Sequence, residues 1–165
     1  MKNYLYLVTL AALTSGSFPS ARAASLTTTD WPQWRGPNRD GHVNPGTRWP
    51  DSLGSLRKVW RTELAPSYSG PIVAGNRVFT TETIDKKRER VTAFNRISGK
   101  LLWERDWPGS MKVPFFAAKN GSWIRSTPAT DGESLFVGGI RDVLVSLDAA
   151  TGKENWRLDF AEKLG

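Results

Sequence analysis

A four-strand unit is written twice in this chain, and that repetition limits the possible folds more than any other feature. Val91-Thr92-Ala93-Phe94-Asn95 leads through a turn to Gly99-Lys100-Leu101-Leu102-Trp103, and Leu144-Val145-Ser146-Leu147-Asp148 leads to Gly152-Lys153-Glu154-Asn155-Trp156. Upstream, Ser69-Gly70-Pro71-Ile72-Val73 aligns with Ser126-Thr127-Pro128-Ala129-Thr130, and Phe79 aligns with Phe136. Trp60 fits the closing strand of an earlier, partial copy. The glycines lie 53 residues apart but the prolines 57, so the first copy holds extra residues in its middle. The stretch Thr83 to Arg90 reads as a lengthened hairpin tip, since connections tolerate insertion.

Each copy reads as four short strands. The first set is Pro71 to Val73, Arg77 to Thr81, Val91 to Asn95 and Leu101 to Asp106; the second is Thr127 to Ala129, Ser134 to Gly138, Val143 to Asp148 and Glu154 to Asp159. Val, Ile, Phe, Trp and Thr fill the runs, and Gly, Asn and Asp punctuate them. Asn95 and Asp148 can accept hydrogen bonds from the amides that follow, while Gly99 and Gly152 can take the left-handed conformation that closes such a loop. Four antiparallel strands cannot bury both faces alone, so the units must stack on one another. Four strands per repeat of roughly 40 to 50 residues is the pattern of a propeller blade. The expected fold is all-β, with about two and a half blades of an eight-bladed β-propeller.

These residues carry a family resemblance. Leu147-Asp148-Ala149-Ala150-Thr151-Gly152-Lys153, followed by Trp156, resembles the repeat of the pyrroloquinoline-quinone-type (PQQ-like) β-propellers. The first copy departs from it at Asn95 and Ile97-Ser98 but keeps Gly99, Lys100 and Trp103. The resemblance implies that Trp60, Trp103 and Trp156 dock neighbouring blades. Asp30 to Gly41, with Trp31 and Trp34, resembles the lead-in of secreted bacterial members. Trp49 is assigned to the same segment. A WD-type blade would place Asp after its tryptophan, and a kelch-type blade would repeat Gly138-Gly139; neither pattern occurs.

Residues 1–23 read as a signal peptide: Lys2 is followed by the apolar run Tyr4 to Leu13, and Ala21-Arg22-Ala23 places small residues where a signal peptidase cuts. Cleavage before Ala24 would put the protein in the periplasm or outside the cell. The apolar run is too short for a transmembrane anchor. Residues 24–55 form the lead-in and 56–165 the propeller repeats, and the end at Gly165 reads as that of an amino-terminal portion. The chain has no cysteine, which excludes disulfides, thiol catalysis and a lipid-modified cysteine.

The net charge of +7 is spread through loops except at Lys86-Lys87-Arg88-Glu89-Arg90, which reads as a solvated tip with an acidic partner as its alternative. A nucleic-acid partner is not expected, because no basic aromatic recognition module is present. His42 stands alone, and there is no metal-ligand spacing, nucleophile elbow or phosphate loop. No catalytic, cofactor-binding or metal residue is assigned. Trp123 and Arg125 lie in an insertion between the two full copies, Pro108 to Ile124, and are either a ligand face or a plug over one end of the ring. The resemblance leaves two functions open. One is a non-catalytic scaffold that binds a protein or small molecule on its face, as in the barrel-assembly lipoprotein that shares the repeat. The other is a quinoprotein dehydrogenase of alcohols or sugars, holding PQQ and Ca²⁺ on the propeller axis.

Overall fold

The computed structural model describes residues 26–43, 50–109, 111 and 113–164; the expected signal peptide and Trp49 lie outside them. Two four-stranded antiparallel sheets follow one another, each in simple meander order. The first contains β1 (Ile72–Ala74), β2 (Arg77–Ile84), β3 (Arg88–Asn95) and β4 (Leu101–Pro108). The second contains β5 (Ala129–Thr130), β6 (Ser134–Gly139), β7 (Val143–Asp148) and β8 (Glu154–Asp159). These are two propeller blades. The observed strands are longer or shifted by a residue or two at several ends, as β1 and β5 illustrate against their expected starts at Pro71 and Thr127; proline has no amide to give to a ladder.

The extra length of the first blade is not a loop. β2 runs on to Ile84 and β3 starts at Arg88, so Thr83↔Glu89 and Ile84↔Arg88 remain cross-strand partners. Only Asp85, Lys86 and Lys87 form the tip. Lys87 N–H donates to the Ile84 carbonyl at 3.0 Å, and Asp85 and Lys86 both have positive φ, 51° and 57°. That is the mirror-image turn whose twist suits an antiparallel ribbon. The insertion therefore extends a rigid ribbon past the point where the second blade stops, at Gly139↔Val143.

Strand alternation sends one set of side chains from each blade into a shared core. Ile72, Phe79, Ala93 and Trp103 of the first blade bury against a set that includes Leu135, Val137, Val145 and Leu147 of the second. Phe79 and Trp103 stack within their own sheet, ring centroids 5.8 Å apart, and Phe136 and Trp156 repeat that pair at 6.1 Å. The Trp103 face meets the next blade, whereas Trp156 remains 42 % exposed.

The lead-in runs across the first strands of both blades. Trp31 and Val73 exchange both backbone hydrogen bonds, at 2.8 and 2.9 Å, and Thr130 N–H donates to the Pro32 carbonyl at 2.9 Å. Asp30, fully buried as a side chain, accepts from the Thr27 amide at 2.7 Å and faces Arg96 at 3.4 Å. Trp60 lies in a segment without ladder partners rather than in a closing strand, because among the described residues no third sheet runs beside it.

Candidate functional site

Antiparallel order puts the β2–β3 tip, the β6–β7 tip and the connections before β1 and β5 at one end of the blades. The lengthened ribbon organises this end. On one side, Thr83 N–H donates to the Pro66 carbonyl at 2.9 Å and the Glu82 carboxylate accepts from the Ala65 amide at 2.6 Å. On the other, Ile124 N–H donates to Thr83 Oγ1 at 2.9 Å, with Ile124 completely buried. The two connections are then joined directly, as Tyr68 N–H donates to the Ile124 carbonyl at 2.9 Å.

That clamp sets Tyr68 beside Trp123, with ring centroids 5.3 Å apart, and the Arg125 guanidinium lies 4.9 Å over the Tyr68 ring. Trp123 rests on Gly121, where an added Cβ would fall within 3 Å of the indole and where φ is +63°. Tyr68 is 48 % exposed and Arg125 is exposed. The sequence-derived pair Trp123 and Arg125 is thus brought together, and Tyr68, which sequence reading missed, completes a half-open stack of two rings and a cation. Such a stack can hold an apolar or planar group while the guanidinium edge takes an anion. Farther along the insertion, a 3₁₀ turn, Phe115–Asn120, leaves Phe115 and Phe116 91 % and 78 % exposed.

The charged run is only partly solvated, in contrast to its reading as a tip. Arg88 and Arg90 lie in β3 and reach across to Asp106, and Arg90 also faces Glu104 at 3.5 Å. The Arg88 hydrogen bond holds the Asp106 carboxyl below its ordinary pKa. Glu89 points the opposite way and is completely buried. Its Oε2 accepts from Trp107 Nε1 at 2.9 Å, and its Oε1 accepts from the Ile140 amide of the second blade at 2.8 Å. Gly109 and Gly139 bracket the carboxyl, and a Cβ on either would collide with it. Burial pushes the Glu89 pKa above the ordinary carboxylate value, against the two hydrogen bonds that favour ionisation. Strand alternation with Val91 and Ala93 was the signal in the sequence that could have found it.

The repeated tryptophans have repeated surroundings. Trp60 Nε1 donates to the Arg96 carbonyl at 2.9 Å, and Trp103 Nε1 to the Ala149 carbonyl at 3.3 Å. Each indole lies over a glycine, Gly99 and Gly152 respectively, with φ of 68° and 70°; an added Cβ would come within 3 Å of the ring. Asn95 and Asp148 cap these turns, accepting from Ser98 N at 2.9 Å and Thr151 N at 2.7 Å. Trp34 is exposed under Arg35, and His42 is exposed beside Asp40. Between the lead-in and the first blade is an open cleft of about 760 Å³ whose lining includes Trp31, His42 and Arg96.

Two stacked four-stranded meanders, joined through a repeated tryptophan-on-glycine contact, define the class: this is a β-propeller repeat protein. Residues 87–165 match the family described as outer membrane protein assembly factor BamB. The chain is 23 % identical over 121 residues to outer membrane protein assembly factor BamB of Yersinia pestis, covering 73 % of this chain and 28 % of that protein. Its blades resemble those of the PQQ-like β-propellers. In structure it resembles a europium-containing methanol dehydrogenase, with a TM-score of 0.59 and 17 % identity, over 81 % of this chain and 23 % of the other. It also resembles the quinohemoprotein alcohol dehydrogenase from Comamonas testosteroni, with a TM-score of 0.52 and 20 % identity, over 84 % of this chain and 20 % of the other. The chain spans between a fifth and under a third of the length of these proteins.

Proposed function

We propose that this chain forms part of an exported, non-catalytic propeller that serves as a binding or assembly scaffold for other proteins. The observation that carries this reading is the Tyr68-Trp123-Arg125 stack, held half-open by hydrogen bonds from the extended ribbon and both neighbouring connections. A rigid platform with exposed aromatic rings and arginine has the chemistry of an interface anchor. The assembly-factor relative supports the same direction. In this reading Trp60, Trp103 and Trp156 join each blade to the next across the αL glycine, and further blades come from the same protein. Export rests on the charged, apolar and Ala-Arg-Ala features of residues 1–23; among the described residues no helix is long and apolar enough to cross a membrane.

The second reading, a PQQ- and Ca²⁺-dependent dehydrogenase, draws support from the two dehydrogenase structures, whose likeness is one of fold. The first strands present Ile72, Val73, Ala74, Ala129 and Thr130, and among the described residues no three His, Cys, Asp or Glu side chains gather as a cation site. The two blades are only part of the ring that would surround such a cofactor, and no step is assigned through it.

The test is a photo-crosslinking amino acid placed at Trp123 or Phe116 in the full-length protein, in its native cell. The scaffold reading expects a discrete protein adduct from these positions and none from Lys153, at the opposite end of the blades. Saturable one-to-one binding of PQQ with Ca²⁺, followed by quinone absorbance and tryptophan fluorescence, would put the dehydrogenase first.

A further inference from the structure

We infer that the partner of this blade end is an acidic polypeptide segment that also carries large apolar side chains. The inference rests on the scaffold reading and specifies what is bound. Exposed aromatic groups and cations are interleaved here. Phe115 and Phe116 meet edge-on at 5.8 Å, and Met111 and Tyr68 are about half exposed. At the same end of the blades lie Lys86 and Lys87 on the ribbon tip and Arg141 on the β6–β7 tip, and the connection that carries Phe115 and Phe116 also carries Lys119 and Arg125, all exposed. On the two tips Asp85 and Asp142 oppose them, Asp159 and Glu162 line a cleft with Arg141, and Glu104 and Asp106 are occupied by Arg88 and Arg90.

Three features favour a polypeptide over a lipid surface. Lys86, Lys87 and Arg141 stand on the tips of two blades, and Glu89 ties one blade to the other beside the β6–β7 tip. Arg125 is planar and already anchored, its Nη2 donating to the Gly121 carbonyl at 3.4 Å, which leaves an oriented edge for a carboxylate. The Tyr68–Trp123 ring pair offers an aromatic surface beside the Arg125 cation that suits a ring or methyl group of a side chain, whereas attraction to anionic lipid needs only charge near the surface. A second copy of the chain is a poor occupant, because it would bring the same positive charge to the contact.

The probe is a fluorescein-labelled peptide of alternating Glu and Phe, titrated with the full-length protein and read by anisotropy. Controls are a Lys-Phe peptide of the same length and phosphatidylcholine vesicles with and without phosphatidylglycerol. Saturable binding of the acidic peptide alone is expected, weakened several-fold as added salt screens the charges. Arg125→Ala should weaken it about tenfold through loss of a charge-assisted pair, and the double change Lys86→Glu with Lys87→Glu at least as much. Phe115→Ser, at a fully solvated position that cannot unfold the blade, should weaken it independently of salt. No binding, equal binding of the Lys-Phe peptide, or insensitivity to Arg125→Ala and Phe115→Ser together would overturn the inference. Binding to anionic vesicles without peptide binding would overturn it in favour of lipid. If Trp123 crosslinks to a protein in cells while the acidic peptide fails to bind, the scaffold stands and the acidic partner falls. Peptide binding without any crosslink leaves the acidic-segment site standing and removes the scaffold.

Discussion

Glu89 offers the sharpest test of how the two blades are held. Its carboxyl is completely buried and takes one hydrogen bond from each blade, Trp107 Nε1 on its own side and the Ile140 amide on the other. Glu89→Ala strands two buried donors at about 1 to 3 kcal/mol each; relief of the desolvated charge offsets part of this, for a net loss of about 2 to 4 kcal/mol. Glu89→Gln keeps the shape and one acceptor but turns an amide N–H₂ toward the other donor, for about 1 to 3 kcal/mol. The pH dependence separates the charge from the shape. Because burial raises the folded pKa, the native state binds more protons than the unfolded chain between the ordinary carboxylate pKa and the raised value. Stability from this group is therefore fully present below the ordinary value and is lost as pH rises through the folded one, with a slope of at most about 1.4 kcal/mol per pH unit. Urea unfolding of the full-length protein across mildly acidic to neutral pH measures it. The wild type minus Glu89→Gln difference should shrink with rising pH, since the other carboxylates, Asp106 among them, cancel in the subtraction. A difference that is flat, or that grows with pH, would refute a buried, proton-linked tie between the blades.

Three further outcomes follow from the packing and the sequence. Trp103→Ala should cost about 3 to 5 kcal/mol in denaturant unfolding, and Lys87→Ala at the solvated turn less than about 0.5 kcal/mol. Gly152→Ala should lose about 1 to 3 kcal/mol through both the αL backbone and the collision with Trp103, with a shift in tryptophan emission to report the displaced indole. Amino-terminal sequencing of the exported protein should begin at Ala24, and a soluble cytoplasmic product that retains Met1 would refute the signal peptide.

Much of the blade was legible because local rules carry it. Period-two alternation, Asx and Gly spacing and the doubled Gly-Lys to Trp interval are read along a single strand or turn, and Val143 to Asp148 and Glu154 to Asp159 were located to the residue. Reading failed where the outcome depended on what lay opposite. Thr83 to Arg90 looked like a loop because its charges suggest solvent, yet Asp106 and Glu104 on β4 neutralise Arg88 and Arg90, and the second blade covers Glu89. Tyr68 carries no motif and gains its place only when the Pro66 and Ile124 segments meet on the same ribbon.

The sequence by itself determined the unit, four strands and their turns, because backbone preference and hydrophobic alternation act between near neighbours. It also determined that the unit must stack, since a four-stranded sheet with apolar residues on both faces cannot stand alone in water. Tertiary structure alone decided which glycine lies under which tryptophan, which of five consecutive charged residues is buried, and which aromatic groups gather around Arg125. Those outcomes belong to pairs drawn from different blades and connections. Their energies depend on desolvation and on partners that for Glu89 and Ile140, Trp103 and Gly152, and Tyr68 and Trp123 lie dozens of residues away, beyond any short window along the chain.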